Sequence, residues 1–293
     1  MNGMKSDMVV DTYISDRAGL NNADFNRLSQ FIYSQCGIKM PIAKKTMLEA
    51  RLQKRLRTLR MTSFSEYCDY LFSDKGMEEE LIQMIDLITT NKTDFFREPD
   101  HFDYLVRQVL PEWERKQHPG AAKRLLVWSA GCSTGEEPYT LSMVLSNYAE
   151  AHAGFSYNIL ATDISTRVLE KARTAVYEEE KVDPVPMALK KKYLLRSKDR
   201  ENPMVRIVPE LREKVYFRRL NFMDSDFGMR EQAEIIFCRN VIIYFDRATQ
   251  ECLINKFCRV LVPGGYLFMG HSETLNGLNV PLSTVHPTVY RKL

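Results

Sequence analysis

Long apolar runs are missing from this chain. No stretch approaches the roughly 18 consecutive apolar residues that a membrane-crossing helix requires. Met1 to Leu20 mixes Lys5, Asp7, Asp11, Asp16 and Arg17 among its apolar residues instead of following the basic-then-apolar order of a secretory leader. The expectation is a cytoplasmic protein without direct membrane insertion. A dominant charge is missing too: 41 basic against 38 acidic side chains leaves +3, too little by itself to imply nucleic acid or a membrane surface, so any basic surface has to be local. Histidine is scarce. The six cysteines, Cys36, Cys68, Cys132, Cys238, Cys252 and Cys258, form no C-x-x-C pair and have no histidine spaced as a co-ligand. No metal is expected, and the cysteines read as reduced, mostly core thiols. Neither G-x-G-x-x-G nor G-x-x-x-x-G-K-[ST] occurs, which removes the fingerprints of nicotinamide dinucleotides and P-loop nucleotides.

What is present suits a globular protein: 293 residues, 44% hydrophobic and 27% charged, is enough for two domains. The central stretch is VWSAGCSTGEEPYTL, Val127 to Leu141. Leu125 to Trp128 are apolar and strand-compatible, Ser129 to Gly135 are nearly all small, and Pro138 is pre-set for the first turn of a helix. Strand, tight turn and helix bring backbone close to a ligand and aim free N–H groups at it. Glu136 and Glu137 would repel a pyrophosphate there and accommodate a cationic ligand better. An ordinary turn with capping glutamates explains the same residues. Cys132 is either open to oxidation in this cradle or a small residue in a crowded turn.

From Asn22 to Ile88 the periodicity is helical. One segment, KKTMLEARLQKRLRTLRM, has an apolar stripe of Met47, Leu48, Leu52, Leu56 and Leu59. Its other faces carry Lys44, Lys45, Arg51, Lys54, Arg55, Arg57 and Arg60 against the single acid Glu49. Such a helix is either a solvated face or a surface for an acidic helical partner; without interleaved aromatics, nucleic acid is not favoured. Ser63 and Glu66 are spaced as a capping box for the following helix.

Asn91 to Arg97, NKTDFFR, is a loop with polar groups around two phenylalanines, followed by a helix from near Pro99. Past the cradle, strands and helices alternate. Tyr157 to Thr162 is a strand ending at Asp163, about 30 residues after the first turn, where α/β nucleotide-binding folds contact ribose; helix capping is its alternative role. Ser165 to Val176 reads as a helix. Pro184, Pro186 and SKDRENP interrupt the rhythm, with Tyr193–Arg196 and Met204–Val208 as a hairpin. Strands resume at Val215–Leu220, ending on Asn221 and Phe222, and at Ala233–Cys238, ending on Arg239 and Asn240. A helix over Arg247–Leu261, a turn and strand in PGGYLFMGHSETL, and a short strand at Thr288–Arg291 complete the chain. Repeated βα units predict a parallel sheet with ligands at the carboxyl ends of its strands. His271, Ser272 and Glu273 either close that rim or form a turn that bonds itself, and are not assigned to the site.

The ordered set TTNKTDFFR, VWSAGCSTGEEPYTL, ATDIS, IIFCRNVIIYF and GGYLFMGHSETL resembles the bacterial chemotaxis receptor methyltransferases, the CheR family, from about Asn22 to Tyr290. The resemblance implies methylation of chemoreceptor glutamates to methyl esters from S-adenosylmethionine, with S-adenosylhomocysteine as product. It implies an α/β fold: a Rossmann-like methyltransferase domain at 99–293 with an inserted β-subdomain at about 184–213. A small all-helical domain at 1–90 precedes it, and a linker at 91–98 contributes to the cofactor site. Carried over motif by motif, the resemblance implies Asn91, Thr93, Arg97, Gly131, Glu137, Asp163, Asn221, Phe222, Arg239 and Asn240 as cofactor residues and Tyr244 beside the transferred methyl group, while Arg97 can also hold the attacking carboxylate. Arg51, Lys54, Arg55 and Arg57 then face chemoreceptor cytoplasmic helices. Ser197 to Pro203 lacks the glycines associated with receptor-tail-binding members, a departure at the place where a tethering peptide docks. The chemistry agrees: a glutamate carboxylate, with a pKa near ~4.3, attacks a sulfonium methyl without a general base. The acidic-aromatic tetrapeptide of nucleic-acid and amine methyltransferases is absent. A non-catalytic S-adenosylmethionine-binding signalling module is the alternative.

Overall fold

The computed structural model describes residues 19–116 and 123–293; nearly all of the Met1–Leu20 stretch, on which the reading of the leader rests, lies outside the described residues. The chain divides into two compact units: the residues through Phe31 with Met40–Ile88, and Ile32–Lys39 with Thr89–Leu293. The helical domain expected over 1–90 therefore cedes Ile32–Lys39 to the second unit. Among the described residues no helix is long and apolar enough to cross a membrane.

The first unit is helical. In the helix Lys45–Leu59 the spacing of four puts Leu48, Leu52 and Leu56 on one buried face. Ser63 caps the helix Phe64–Leu71 by accepting the Glu66 N–H at 3.1 Å, and Glu66 reaches back to the Thr62 N–H at 2.8 Å. The expected basic surface needs correction. Arg55 grips both oxygens of Glu80, Nε at 2.9 Å from Oε1 and Nη2 at 2.6 Å from Oε2. Glu80 is fully buried and also accepts from Tyr67 Oη at 3.0 Å. Arg51 donates to the Ile88 carbonyl. Two of the four arginine and lysine residues expected to face a receptor are thus internal ties, and Lys54 and Arg57 are the exposed ones.

The second unit is built on strands β1 (Lys123–Ala130), β2 (Phe155–Asp163), β3 (Val176–Glu178), β4 (Leu194–Arg196), β5 (Met204–Ile207), β6 (Val215–Arg219), β7 (Ala233–Cys238), β8 (Leu261–Met269), β9 (Leu282–His286) and β10 (Val289–Lys292). Seven form one sheet in the order β6-β2-β1-β7-β8-β10-β9, parallel from β6 to β8 and antiparallel beyond. β1 is apolar on both sides because both faces are covered. Leu125 and Val127 join one buried cluster with Tyr139 and Leu141 of the helix Glu136–Ala151. Trp128 and Ala130 join another with Leu253 and Phe257 of the helix Arg247–Val260. β2 lies on one side of β1 and β7 on the other, so the strand order reverses at β1, where open α/β sheets leave a crevice.

β3, β5 and β4 make a separate antiparallel sheet. The β4–β5 hairpin lies where the sequence puts it, but the third strand comes from Val176–Glu178, upstream of the expected 184–213 insertion and partly from residues read as helix. Ala175 adopts a left-handed φ of +55°, which ends the preceding helix at Thr174. Tyr177 wires this sheet to the cradle: its hydroxyl donates to the Thr134 carbonyl at 2.8 Å, and its ring meets Phe95 edge-on at 5.0 Å.

Candidate active site

Five loops converge at the carboxyl ends of the parallel strands. The cradle after β1 needs its glycines: Gly131 has φ +87°, and a Cβ there would come within 2.6 Å of Val241 Cγ2 in the loop after β7. The crevice is this narrow between β1 and β7, and small residues are what keep it open. Thr162 O accepts the Gly131 and Cys132 N–H groups at 2.8 and 2.9 Å, closing the turn onto β2. Cys132 is fully buried, and burial, with Asp163 and Glu137 nearby, pushes its thiol well above the ordinary range. It is an unreactive small residue of a crowded turn.

Asp163, 8% exposed at the end of β2, accepts the Ser133 N–H on one oxygen and the Ser165 N–H on the other, each at 2.9 Å. Ser165 itself caps the next helix. Asp163 is thereby fixed to the cradle. Ser133 Oγ donates to the Asn91 carbonyl at 2.9 Å, which ties the Asn91–Arg97 loop to the same turn. In that loop Phe95 is buried, and Phe96 and Glu98 take left-handed φ values of +52° and +56° on either side of Arg97, sparsely populated geometry for side-chain-bearing residues. The Arg97 guanidinium turns back on its own loop, Nη1 to the Lys92 carbonyl at 3.1 Å. Thr93 and Asn91 are half-buried beside it.

Arg239, at the end of β7, links three of these pieces. Its side chain is 3% exposed; Nε donates to Glu137 at 2.7 Å, and Nη1 donates to the Arg97 carbonyl at 2.7 Å and to His101 Nδ1 at 3.2 Å. Glu98 lies 3.4 Å from Nη1. Glu137 takes a further bond from Ser129 Oγ at 2.7 Å. The guanidinium offsets one of the two carboxylate charges in a buried setting, where a lone charge would be costly. His101 donates or accepts at Thr288 Oγ1 through Nε2 at 2.9 Å, so with Arg239 donating to Nδ1 it is the Nε2–H tautomer. Burial and the Arg239 charge push it down to about 3. Glu98, His101 and His271 bring ligand atoms within 4.8 Å of one another, but Arg239 already supplies the cation in that space, and the trio does not suit a metal ion.

The remaining expected residues split. Asn240, with φ +59°, and Tyr244, on the short turn Ile242–Tyr244, follow Arg239 directly. Asn221 is turned to the Ile32–Lys39 segment: its Nδ2 donates to the Gln35 carbonyl at 2.6 Å. Phe222 packs with Trp128, Phe227 and Phe257, so its ring belongs to the core.

Known proteins resemble this chain along nearly its whole length. The family described as CheR methyltransferase, SAM binding domain, matches residues 91–291, and its all-alpha companion domain matches residues 23–89. The chain belongs to the CheR methyltransferase family. The chemotaxis protein methyltransferase of Borreliella burgdorferi is 41% identical over 92% of this chain and 94% of its own length. Chemotaxis protein methyltransferase 2 of Pseudomonas aeruginosa is 38% identical over 91% of this chain and 92% of its own, and the Escherichia coli chemotaxis protein methyltransferase 36% over 94% and 93%.

Within this CheR-family chain, sequence spacing missed four contributors to the rim. Glu98 and His101 surround Arg239. The buried Lys256 holds the loop after β6 by donating to the Phe222 and Asp224 carbonyls at 2.5 and 2.9 Å. The Ile32–Lys39 segment braces both Asn221 and, through Lys39 N–H to the Tyr244 carbonyl at 2.9 Å, the turn after β7. Only Glu98, adjacent to Arg97, had a signal in its position; the others are brought in from helices that read as scaffold.

Proposed function

We propose that this CheR-family methyltransferase moves the methyl group of S-adenosylmethionine to glutamate side chains on chemoreceptor cytoplasmic helices, forming glutamate methyl esters and S-adenosylhomocysteine. The observation that carries this reading is that neither the buried histidine nor the buried thiol of the cradle is available as a general base. Among the described residues the buried histidine, His101, is held neutral with both ring nitrogens engaged, and the buried thiol, Cys132, stays protonated. A site of this kind suits an acceptor that arrives already ionised, and a glutamate carboxylate does so at neutral pH.

When bound, S-adenosylmethionine supplies an electrophilic sulfonium methyl. The protein's part is then alignment and exclusion of water. Asp163, fixed by two backbone amides, would accept from ribose hydroxyls, and Gly131 leaves room for close approach. Glu137, held by Arg239 and Ser129, would face the cofactor's amino group with its remaining acceptor capacity. Asn91, Thr93 and Asn240 would line the cofactor, and Asn221 and Phe222 would contribute chiefly through backbone. Arg97, once released from the Lys92 carbonyl, would hold the attacking carboxylate as a charged fork, and Tyr244 would donate beside the reacting centre. Lys54 and Arg57 would attract the acidic receptor helix.

The test is incubation with radiolabelled methyl donor and receptor cytoplasmic fragments, followed by mild base. Label released as methanol is the expected result. Base-stable label overturns the ester, and tight cofactor binding without transfer to any receptor fragment would leave a non-catalytic signalling module instead.

A further inference from the structure

Beyond β8 stands a carboxylate that, among the described residues, pairs with no charged side chain and binds the backbone of the β7 loop. Glu273 is 4% exposed. Its Oε2 accepts the N–H groups of Gly270 at 2.7 Å and Asn240 at 2.8 Å, and its Oε1 those of Val241 at 2.8 Å and Ile242 at 2.9 Å. Among the described residues every group hydrogen-bonded to it is a backbone amide. Three of the four are consecutive. They converge because Asn240 is left-handed, at φ +59°, and Val241 returns to the right-handed region at φ −114° and ψ −47°. That alternation turns successive N–H groups into one concavity that selects an anion. Burial raises the Glu273 carboxyl above its ordinary range, and the four amides hold part of that rise back.

The approach is also tight. A Cβ at Gly270 would fall 2.8 Å from Asn240 N and 2.5 Å from Asn240 Nδ2, so the turns after β7 and β8 are in direct contact and only glycine fits between them. The turn so held begins with Arg239 and ends with Tyr244, whose carbonyl is fixed in its turn by Lys39.

We propose that Glu273 is a positioning residue for methyl transfer: filling the backbone nest of Asn240–Ile242, it sets the path on which Asn240 and Tyr244 stand over the crevice. The inference rests on the reading of those two residues given under the proposed function. A neutral amide cannot replace the carboxylate, because its NH2 end would oppose two N–H donors. An aspartate keeps the charge but falls one methylene short, and serves as the conservative comparison.

The experiment uses the full chain carrying Glu273→Gln or Glu273→Asp, each assayed well below its own melting temperature. Calorimetric binding of S-adenosylhomocysteine and saturation kinetics with a receptor fragment are measured side by side. For Glu273→Gln the expected result is an S-adenosylhomocysteine Kd raised about tenfold and a kcat lowered at least about tenfold, with receptor KM within about twofold of wild type. Glu273→Asp should lie between the two. Should the Gln variant fail to fold, the Asp variant decides by the same split. Kd and kcat within about twofold of wild type in folded protein, or a loss that only follows the unfolded fraction, overturns the proposal. Wild-type protein that binds no S-adenosylhomocysteine would instead strike the underlying reading of the crevice.

Discussion

In the helix Lys45–Leu59 arginines repeat along a flank, whereas at the end of β7 a single arginine is sealed inside the rim of a sheet. The two settings differ less than they look. Arg239 is held by Glu137, 102 residues away in sequence, and Arg55 by Glu80, 25 residues away. In both cases an acid from another element decides whether the guanidinium is structure or surface. Periodicity shows which face a charge occupies; it does not show which charge already has a partner. The difference that remains is solvent. Arg239 is 3% exposed in its side chain and Arg55 22%, while Lys54 and Arg57 are exposed and act through a field that salt screens.

The comparison breaks most visibly at Arg97, whose guanidinium, among the described residues, is held by its own loop. Arg97→Ala should lower methyl transfer roughly a thousandfold, about 4 kcal/mol in the barrier, with the urea midpoint almost unmoved; activity within a few-fold of wild type refutes its role. Arg55→Ala should do the reverse. It leaves Glu80 buried and unpaired and should cost about 3 kcal/mol of stability, read by urea unfolding. Replacing Glu80 by Met in the same chain should recover most of that loss.

A third test concerns pH at the sealed end. Burial and Arg239 lower His101 to about 3 from 6.5. Between those values the unfolded chain binds the extra proton, so stability is fully present above pH 6.5 and falls as pH drops through that window. At pH 5 the loss relative to pH 7.5 should be about 2 kcal/mol, and Glu or Asp titration contributes alongside it. His101→Gln should remove that share; an identical pH dependence would show that His101 is not its source. The smallest effect is expected on the solvated flank. Lys54→Glu with Arg57→Glu should raise receptor KM about tenfold, ~1.4 kcal/mol, at low salt, and the difference should shrink at high salt. An unchanged KM at low salt removes the receptor-facing reading.

The parallel sheet was legible because Leu125–Trp128, Tyr157–Thr162 and Ala233–Cys238 are apolar on both faces, a pattern that only a doubly covered strand requires. The β4–β5 hairpin was legible from its flanking polar turn. β9 was not: LSTVH is an edge strand with half-exposed residues throughout, so it carries little apolar periodicity to detect. Val176 continued a helical pattern until Ala175 turned left-handed. At the candidate site the motifs point to residues on the loops after the strands, but the partners that hold those residues carry no signal. Glu273 bonds backbone, and backbone has no signature in sequence. Gln35 and Lys39 also act at the rim through main-chain atoms, so nothing in their side chains announces it.

Tyr177 has a practical implication for anyone cutting or recombining this enzyme. Because the phenol of the small sheet's first strand reaches under Thr134, an excision drawn at the apparent insertion, 184–213, would spare the wedge beneath Gly135, whereas one begun at Val176 would remove it. Chimeras that exchange this small sheet between homologues should therefore keep their upstream junction past Glu178, so that the turn after β1 travels with its own support.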